Sequence, residues 1–149
     1  MRITFQCAAL AAAIILSGCA SSTPHSASDA AGKVTSLDCM IPSNCVNSSG
    51  TEGFAPLLYL GTPSQAMGLL QATLKHFPEA TVIHSDALTM QVIFTTPMGF
   101  RDQVDFRINP QVQRIDFRSR SLFGLFDWGK NRSRMQAFTM RFEQQSRNR

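Results

Sequence analysis

The spacing of apolar residues changes along the chain, and that change locates the elements. Thr62 stands where a helix N-cap is expected, Pro63 at the first helical position and Gln65 three residues after the cap, which makes a capping box. Ala66, Leu70, Leu74 and Phe77 follow on one stripe, and Pro78 closes the helix. Beyond it the period falls from about 3.6 to 2, the signature of strands. Residues 81–84 and 88–95 form two runs joined by a tight turn at Ser85-Asp86. In the second, Leu88, Met90, Val92 and Phe94 alternate with Thr89, Gln91, Ile93 and Thr95. Residues 101–108 set Val104, Phe106 and Ile108 opposite Asp105 and Arg107. Residues 113–119 set Ile115 and Phe117 opposite Asp116 and Arg118, with Asn109-Pro110 as the turn between the two runs.

Register follows from charge. A slip of one residue would turn the apolar set outward, and a slip of two would face like charges. The favoured pairing sets Asp105 against Arg118 and Arg107 against Asp116. A short strand at residues 57–60 precedes the first helix, after a loop-rich entry over residues 37–56 with a turn-prone cluster at residues 47–50. A last helix starting near Asp127 carries Met135, Phe138 and Phe142 on its apolar stripe, and Asn131 falls on the same stripe. The predicted fold is therefore α+β: a two-layer sandwich in which an antiparallel meander of four to five strands carries two helices on one face.

The start of the chain is a targeting segment. Arg2 gives a positive end and residues 8–16 a short apolar run, too short to span a bilayer as a helix. Leu16-Ser17-Gly18-Cys19 resembles the lipobox of bacterial lipoproteins. That resemblance implies a lipoprotein signal peptide over residues 1–18 and a Cys19 that carries diacylglycerol and, after cleavage, an N-acyl chain such as palmitate. The alternative is an ordinary secretory signal cut near Ala20, which would export the domain unanchored. Ala20 is not the aspartate of an inner-membrane retention signal, so the resemblance implies the periplasmic face of the outer membrane. Residues 19–36 are small and polar, as in a flexible tether with a reach on the order of 20–25 Å. Of the 149 residues, 37–149 are left for a single globular domain.

Of the four cysteines, Cys7 falls in the signal segment and Cys19 takes lipid, leaving Cys39 and Cys45. In an oxidising compartment this pair reads as a disulfide across a small loop. A zinc site would require two further ligands, and His25, His76 and His84 lack the spacing. Neither a metal nor a cofactor is called for.

Charge is concentrated at one end. Residues 19–100 carry 2 basic and 5 acidic side chains, whereas residues 101–149 carry 11 basic and 5 acidic. Nucleic acid is disfavoured as a partner, because the chain is exported and Trp128 and Tyr59 offer no stacking ladder. Anionic lipid head groups, lipopolysaccharide phosphates or an envelope protein suit the address better.

Three blocks carry a family resemblance. "CMIPSNCVNSS" (residues 39–49), "DQVDFR" (residues 102–107) and "IDFRSRSLFGLFDWGKNRSR" (residues 115–134) resemble the signature blocks of the domain-of-unknown-function family numbered 1499. The resemblance spans residues 37–144. Met40, Ile41 and Asn47 depart from the first block and Arg120 from the third, while Asp127, Gly129 and Asn131 match. No activity comes with the resemblance.

The third block leaves two geometries open. In a structural brace, Asp127 caps the last helix and pairs with Arg118 or Arg120, while Asn131 bonds loop carbonyls. In an anion site, Arg118, Arg132 and free helix N–H groups converge on a phosphate or carboxylate. Asp127 favours the brace, because it already places negative charge at the helix end. No residue is marked as catalytic: there is no G-x-S-x-G elbow, and His84-Ser85-Asp86 is contiguous and reads as a turn. The function expected is a lipid-anchored, non-catalytic envelope module. An envelope hydrolase acting on an anionic substrate near Arg118 is the alternative.

Overall fold

The structure, a computed structural model, describes residues 36–49 and 54–148. The expected signal peptide over residues 1–18, the expected lipid site Cys19 and the expected tether as far as residue 35 lie outside the described residues. Eight elements follow one another: β1 (Cys45–Asn47), β2 (Leu57–Leu58), α1 (Pro63–Leu74), β3 (Ala80–Ser85), β4 (Thr89–Thr95), β5 (Arg101–Asn109), β6 (Arg114–Ser121) and α2 (Lys130–Arg147). The sheet has six strands, all antiparallel, in the order β1-β6-β5-β4-β3, with β2 also paired to β6. This is the α+β arrangement expected, with a four-stranded meander running from the β3 edge to β6.

The capping box forms as read: Thr62 Oγ1 accepts the Gln65 N–H and Gln65 Oε1 accepts the Thr62 N–H. The helix ends at Leu74 rather than at Pro78, and Phe77 follows in the turn. Phe77 keeps its core role there, with ring centroids 5.9 Å from Phe94 and 5.7 Å from Phe138. Residues 37–56 hold more structure than expected. Asn47 ends β1 instead of opening a turn, because Val46 pairs with Ser119 on the free edge of β6. Three residues are too few for alternation to register in the sequence. In β3 the register shifts between Val82 and His84, a bulge that periodicity alone did not indicate.

The β5–β6 register is the charge-matched one, with Asp105 opposite Arg118 and Arg107 opposite Asp116. Strand alternation then sends Met90, Val92, Phe94, Val104, Phe106, Ile108, Ile115 and Phe117 to one face. There they are buried against Ala66 and Leu70 of α1 and Met135, Phe138 and Phe142 of α2. The polar face is covered in part: Asp105 is fully buried, and Asp116 and Ile93 nearly so. The backbone of the entry segment contributes here, since Arg118 Nη1 donates to the Asp38 carbonyl and Asn47 Nδ2 to that of Leu37.

The β3–β4 turn is fastened by Asp86. Its carboxylate accepts the Leu88 and Thr89 N–H groups at 2.8 and 2.7 Å and the Thr89 hydroxyl at 2.7 Å. These bonds, the Leu88 N–H foremost and the Thr89 hydroxyl next, pull its pKa from 3.8 to about 2. A carboxyl depressed in the folded state stabilises it above the unfolded pKa, and that contribution is lost as pH falls through the folded value. The stability difference between wild type and Asp86→Asn is therefore expected to be constant at neutral pH and to shrink from pH 3.8 down to about 2. Urea midpoints measured across that range check it; a difference independent of pH would remove the role assigned to the carboxylate.

Candidate functional site

Alternation does more than build the core. Asp102 shares the parity of Val104 and Phe106, and Ser119 and Ser121 share that of Ile115 and Phe117, so β5 and β6 send these four-atom and smaller polar groups toward the helices. On α2, Asn131, Arg134, Met135 and Phe138 recur at helical spacing and face the sheet. The two patterns meet in one buried polar network. Arg134 Nη2 donates to Asp102 Oδ2 at 2.5 Å, with both side chains 5% exposed, and Arg134 Nη1 donates to Asn131 Oδ1 at 2.9 Å. The guanidinium also lies over the Phe94 ring, 4.8 Å from its centroid. Ser121 Oγ donates to Asp102 Oδ1 at 2.6 Å and Ser119 Oγ to Asn131 Oδ1 at 2.5 Å.

Asn131, fully buried, is the hub. Its Nδ2 reaches Asp127 Oδ2 at 2.8 Å, the Asn44 carbonyl at 3.1 Å and Ser121 Oγ at 3.2 Å. Asp127 caps the helix from outside it. Its Oδ1 accepts the Gly129 N–H at 2.9 Å and its Oδ2 the Asn131 N–H at 2.7 Å. The helix starts at Lys130 rather than near Asp127, because Trp128 (φ 56°) and Gly129 (φ 75°) both take left-handed conformations that no α-helix accepts.

The cysteine loop is joined to the same network. Cys39 and Cys45 are disulfide-bonded, closing a loop that holds a single 3-10 turn, Pro42–Asn44. From that turn, Ser43 Oγ donates to the Leu125 carbonyl at 2.5 Å and Asn44 Nδ2 to the Gly124 carbonyl at 2.6 Å. The segment that enters the domain is thus stitched to the β6–α2 loop.

Two of the expected geometries need correction, for one reason. Arg118 and Arg120 have the opposite parity to Ser119 and Ser121, so they leave β6 on the face away from α2. Asp127 does not pair with either of them; its carboxylate serves Gly129 and Asn131. Arg118 instead meets Asp105 through Nη2 at 2.7 Å and Nε at 3.2 Å, and Arg120 reaches Gln103 Oε1 at 3.4 Å. Burial, and then the neighbouring Arg118 charge, lower the pKa of Arg120, while Asp105 opposes that shift. Arg132 stacks over Phe54, 5.5 Å from the ring centroid. Arg118, Arg132 and the helix N-terminus therefore do not converge, and Asp127 fills the helix end. Among the described residues no group of three or more His, Cys, Asp or Glu could hold a metal, and no helix is long and apolar enough to cross a membrane.

Asp102, Arg134, Ser119, Ser121 and Asn44 were not among the expected site residues, although the arginines near Asp102 made an arginine partner for it expected. Parity could have found the first four, since each is a polar residue on an otherwise apolar stripe. Beside the network opens a groove of about 780 Å³, lined by Asp102, Ser121, Asp127 and Lys130 together with Phe100, Phe123, Phe126 and Trp128. Its hydroxyls are engaged, Ser121 with Asp102, Ser133 with the Lys130 carbonyl and Thr96 with the Phe100 N–H, and no histidine lines it.

Compared with protein families, residues 19–142 match the protein family of unknown function DUF1499. The chain belongs to the DUF1499 family. No curated protein matches it, and no solved structure does. In this DUF1499 domain the three sequence blocks come together at one place. Asn44 comes from the first block, Asp102 from the second, and Ser119, Ser121, Asp127, Asn131 and Arg134 from the third. Chemically the network is closed: Asp102 meets a cation and a hydroxyl, and Asp127 two N–H groups and an amide.

Proposed function

We propose that this DUF1499 protein is a lipid-anchored, non-catalytic module of the bacterial cell envelope. Through its basic C-terminal half it binds an anionic envelope component, with an envelope protein as the alternative partner. The observation that supports this is the asymmetric fate of charge in residues 101–149. Asp102, Asp105 and Asp116 are buried and Asp127 is half-buried, so Glu143 is the one exposed acid among the described residues of this half. Arg101, Arg107, Arg114, Lys130, Arg141 and Arg147 are exposed. The buried carboxylates take Arg134, Arg118 and Arg114 as partners, and what this half still presents to solvent is six exposed cations against one exposed acid, which act on charged partners within a Debye length.

The test is thermal unfolding of the mature protein against head-group phosphates, lipopolysaccharide fragments and peptidoglycan fragments. A ligand that binds the folded state raises the midpoint. The expected result is a rise with an anionic ligand that disappears at high salt and is weakened in Arg107→Glu with Arg114→Glu. If no anionic ligand raises the midpoint, the anionic reading falls. Mass spectrometry of the mature N-terminus tests the anchor separately, by the presence or absence of a diacylglyceryl group on Cys19.

A further inference from the structure

The end of the sheet that holds the groove also carries a concentration of exposed apolar side chains. The β4–β5 turn and the β6–α2 loop project side by side there, because Asp102 pairs with Ser121 and the Leu122 N–H donates to the Arg101 carbonyl at 3.0 Å. From these two loops Met98 (82% exposed), Phe100 (50%), Phe123 (78%), Leu125 (64%), Phe126 (68%) and Trp128 (96%) face solvent. A solvent-facing patch of this kind on a folded monomer marks a contact surface. The network holds the base of the second loop rigidly: Asp127 fastens Gly129 and Asn131, while Ser43 and Asn44 fasten Leu125 and Gly124.

Three observations select the occupant. Large apolar side chains at the tips of loops, with an almost wholly exposed tryptophan among them, suit the boundary between head groups and acyl chains, where an indole places its body in hydrocarbon and its N–H in water. Arg101 and Lys130 line the same groove, and the carboxylates beside them, Asp102 and Asp127, are committed to internal partners, so the rim presents cations to whatever approaches. Finally, Ser43 and Asn44 place part of the entry segment, which follows the tether of the envelope reading, at this end of the domain.

We propose that the two loops dock into the head-group layer of an anionic phospholipid membrane, with Phe123, Phe126 and Trp128 inserted and Arg101 and Lys130 on lipid phosphates. The proposal rests on the envelope reading above for the nearness of a membrane, and its test keeps the two apart.

Trp128 is the single tryptophan of the chain and reports its own surroundings. Mature protein isolated from cells is mixed with vesicles of phosphatidylcholine alone or with phosphatidylglycerol, each with and without brominated acyl chains. The expected result is a blue shift of Trp128 emission and its quenching by brominated lipid, stronger with phosphatidylglycerol. Phe123→Ser with Phe126→Ser, both exposed and outside the core, should lower the docking constant by about tenfold or more. Emission that stays quenchable by aqueous acrylamide and untouched by brominated lipid in both compositions would overturn the proposal. A blue shift that grows with protein concentration in the absence of vesicles would also overturn it, in favour of a second copy of the chain. The mass of the N-terminus separates the two readings. Lipid on Cys19 without quenching keeps the anchor and removes the docking loops, whereas quenching without lipid on Cys19 does the reverse.

Discussion

Arg134→Met is expected to lower the unfolding free energy by about 3–5 kcal/mol, the usual cost of stranding one partner of a buried ion pair. Asp102 would keep its bond to Ser121 but lose the cation that lies 2.5 Å away, in a site where both side chains are 5% exposed. Such a loss is a large fraction of the roughly 5–15 kcal/mol that holds a domain together. The partner of the missing charge accounts for most of it. Asp102→Val combined with Arg134→Met should therefore recover much of the stability lost in the single variant, since apolar replacements of a buried pair are frequently tolerated. Urea unfolding of wild type, both single variants and the double variant measures the coupling. If Arg134→Met keeps the wild-type midpoint, the pair does not hold α2 to the sheet.

The second large effect is expected at Asn131. Asn131→Ala removes the acceptor of Ser119 and Arg134 and the donor to Asp127 and the Asn44 carbonyl, around a side chain that is itself fully buried. Unfulfilled buried groups cost about 1–3 kcal/mol each, and with partial relaxation a total of about 2–4 kcal/mol is expected. Asn131→Asp separates hydrogen bonding from shape. It keeps the acceptor for Ser119 and Arg134 but turns a second carboxylate oxygen toward Asp127 and a carbonyl, so it should be no more stable than Asn131→Ala at neutral pH. An Asn131→Asp protein as stable as wild type would show that the Nδ2 contacts carry no weight. Hydrogen exchange at the Asp127 and Gly129 amides, which donate to the Ser43 carbonyl and the Asp127 carboxylate, adds a local reading, because the loop holding the proposed membrane-docking side chains should loosen with the network.

Much of the fold was legible along the chain. The capping box at Thr62 and Gln65 depends on two positions three residues apart, and the meander on alternation within single strands. Even the β5–β6 register followed, since Asp105, Arg107, Asp116 and Arg118 allow one charge-matched pairing with the apolar faces aligned. The basic zone and the disulfide between Cys39 and Cys45 were equally visible. The start of α2 was misplaced because the left-handed pair Trp128 and Gly129 interrupts a stretch whose composition is otherwise compatible with a helix.

By itself, then, the sequence determined the period of both helices and of β4, β5 and β6, the face of each of those strands and the family, because those depend on neighbours close in the chain. The tertiary structure decided which polar groups meet. Asp102 and Arg134 are 32 residues apart, and nothing local says that α2 lies across the sheet at the height where one reaches the other. Arg118 and Asp127 are much closer in sequence, yet the alternation of β6 sends Arg118 to the face away from α2. The exposed end is likewise a tertiary result: Phe123, Phe126 and Trp128 have the composition of core residues, and only the packing of α2 onto the sheet leaves them no core to enter.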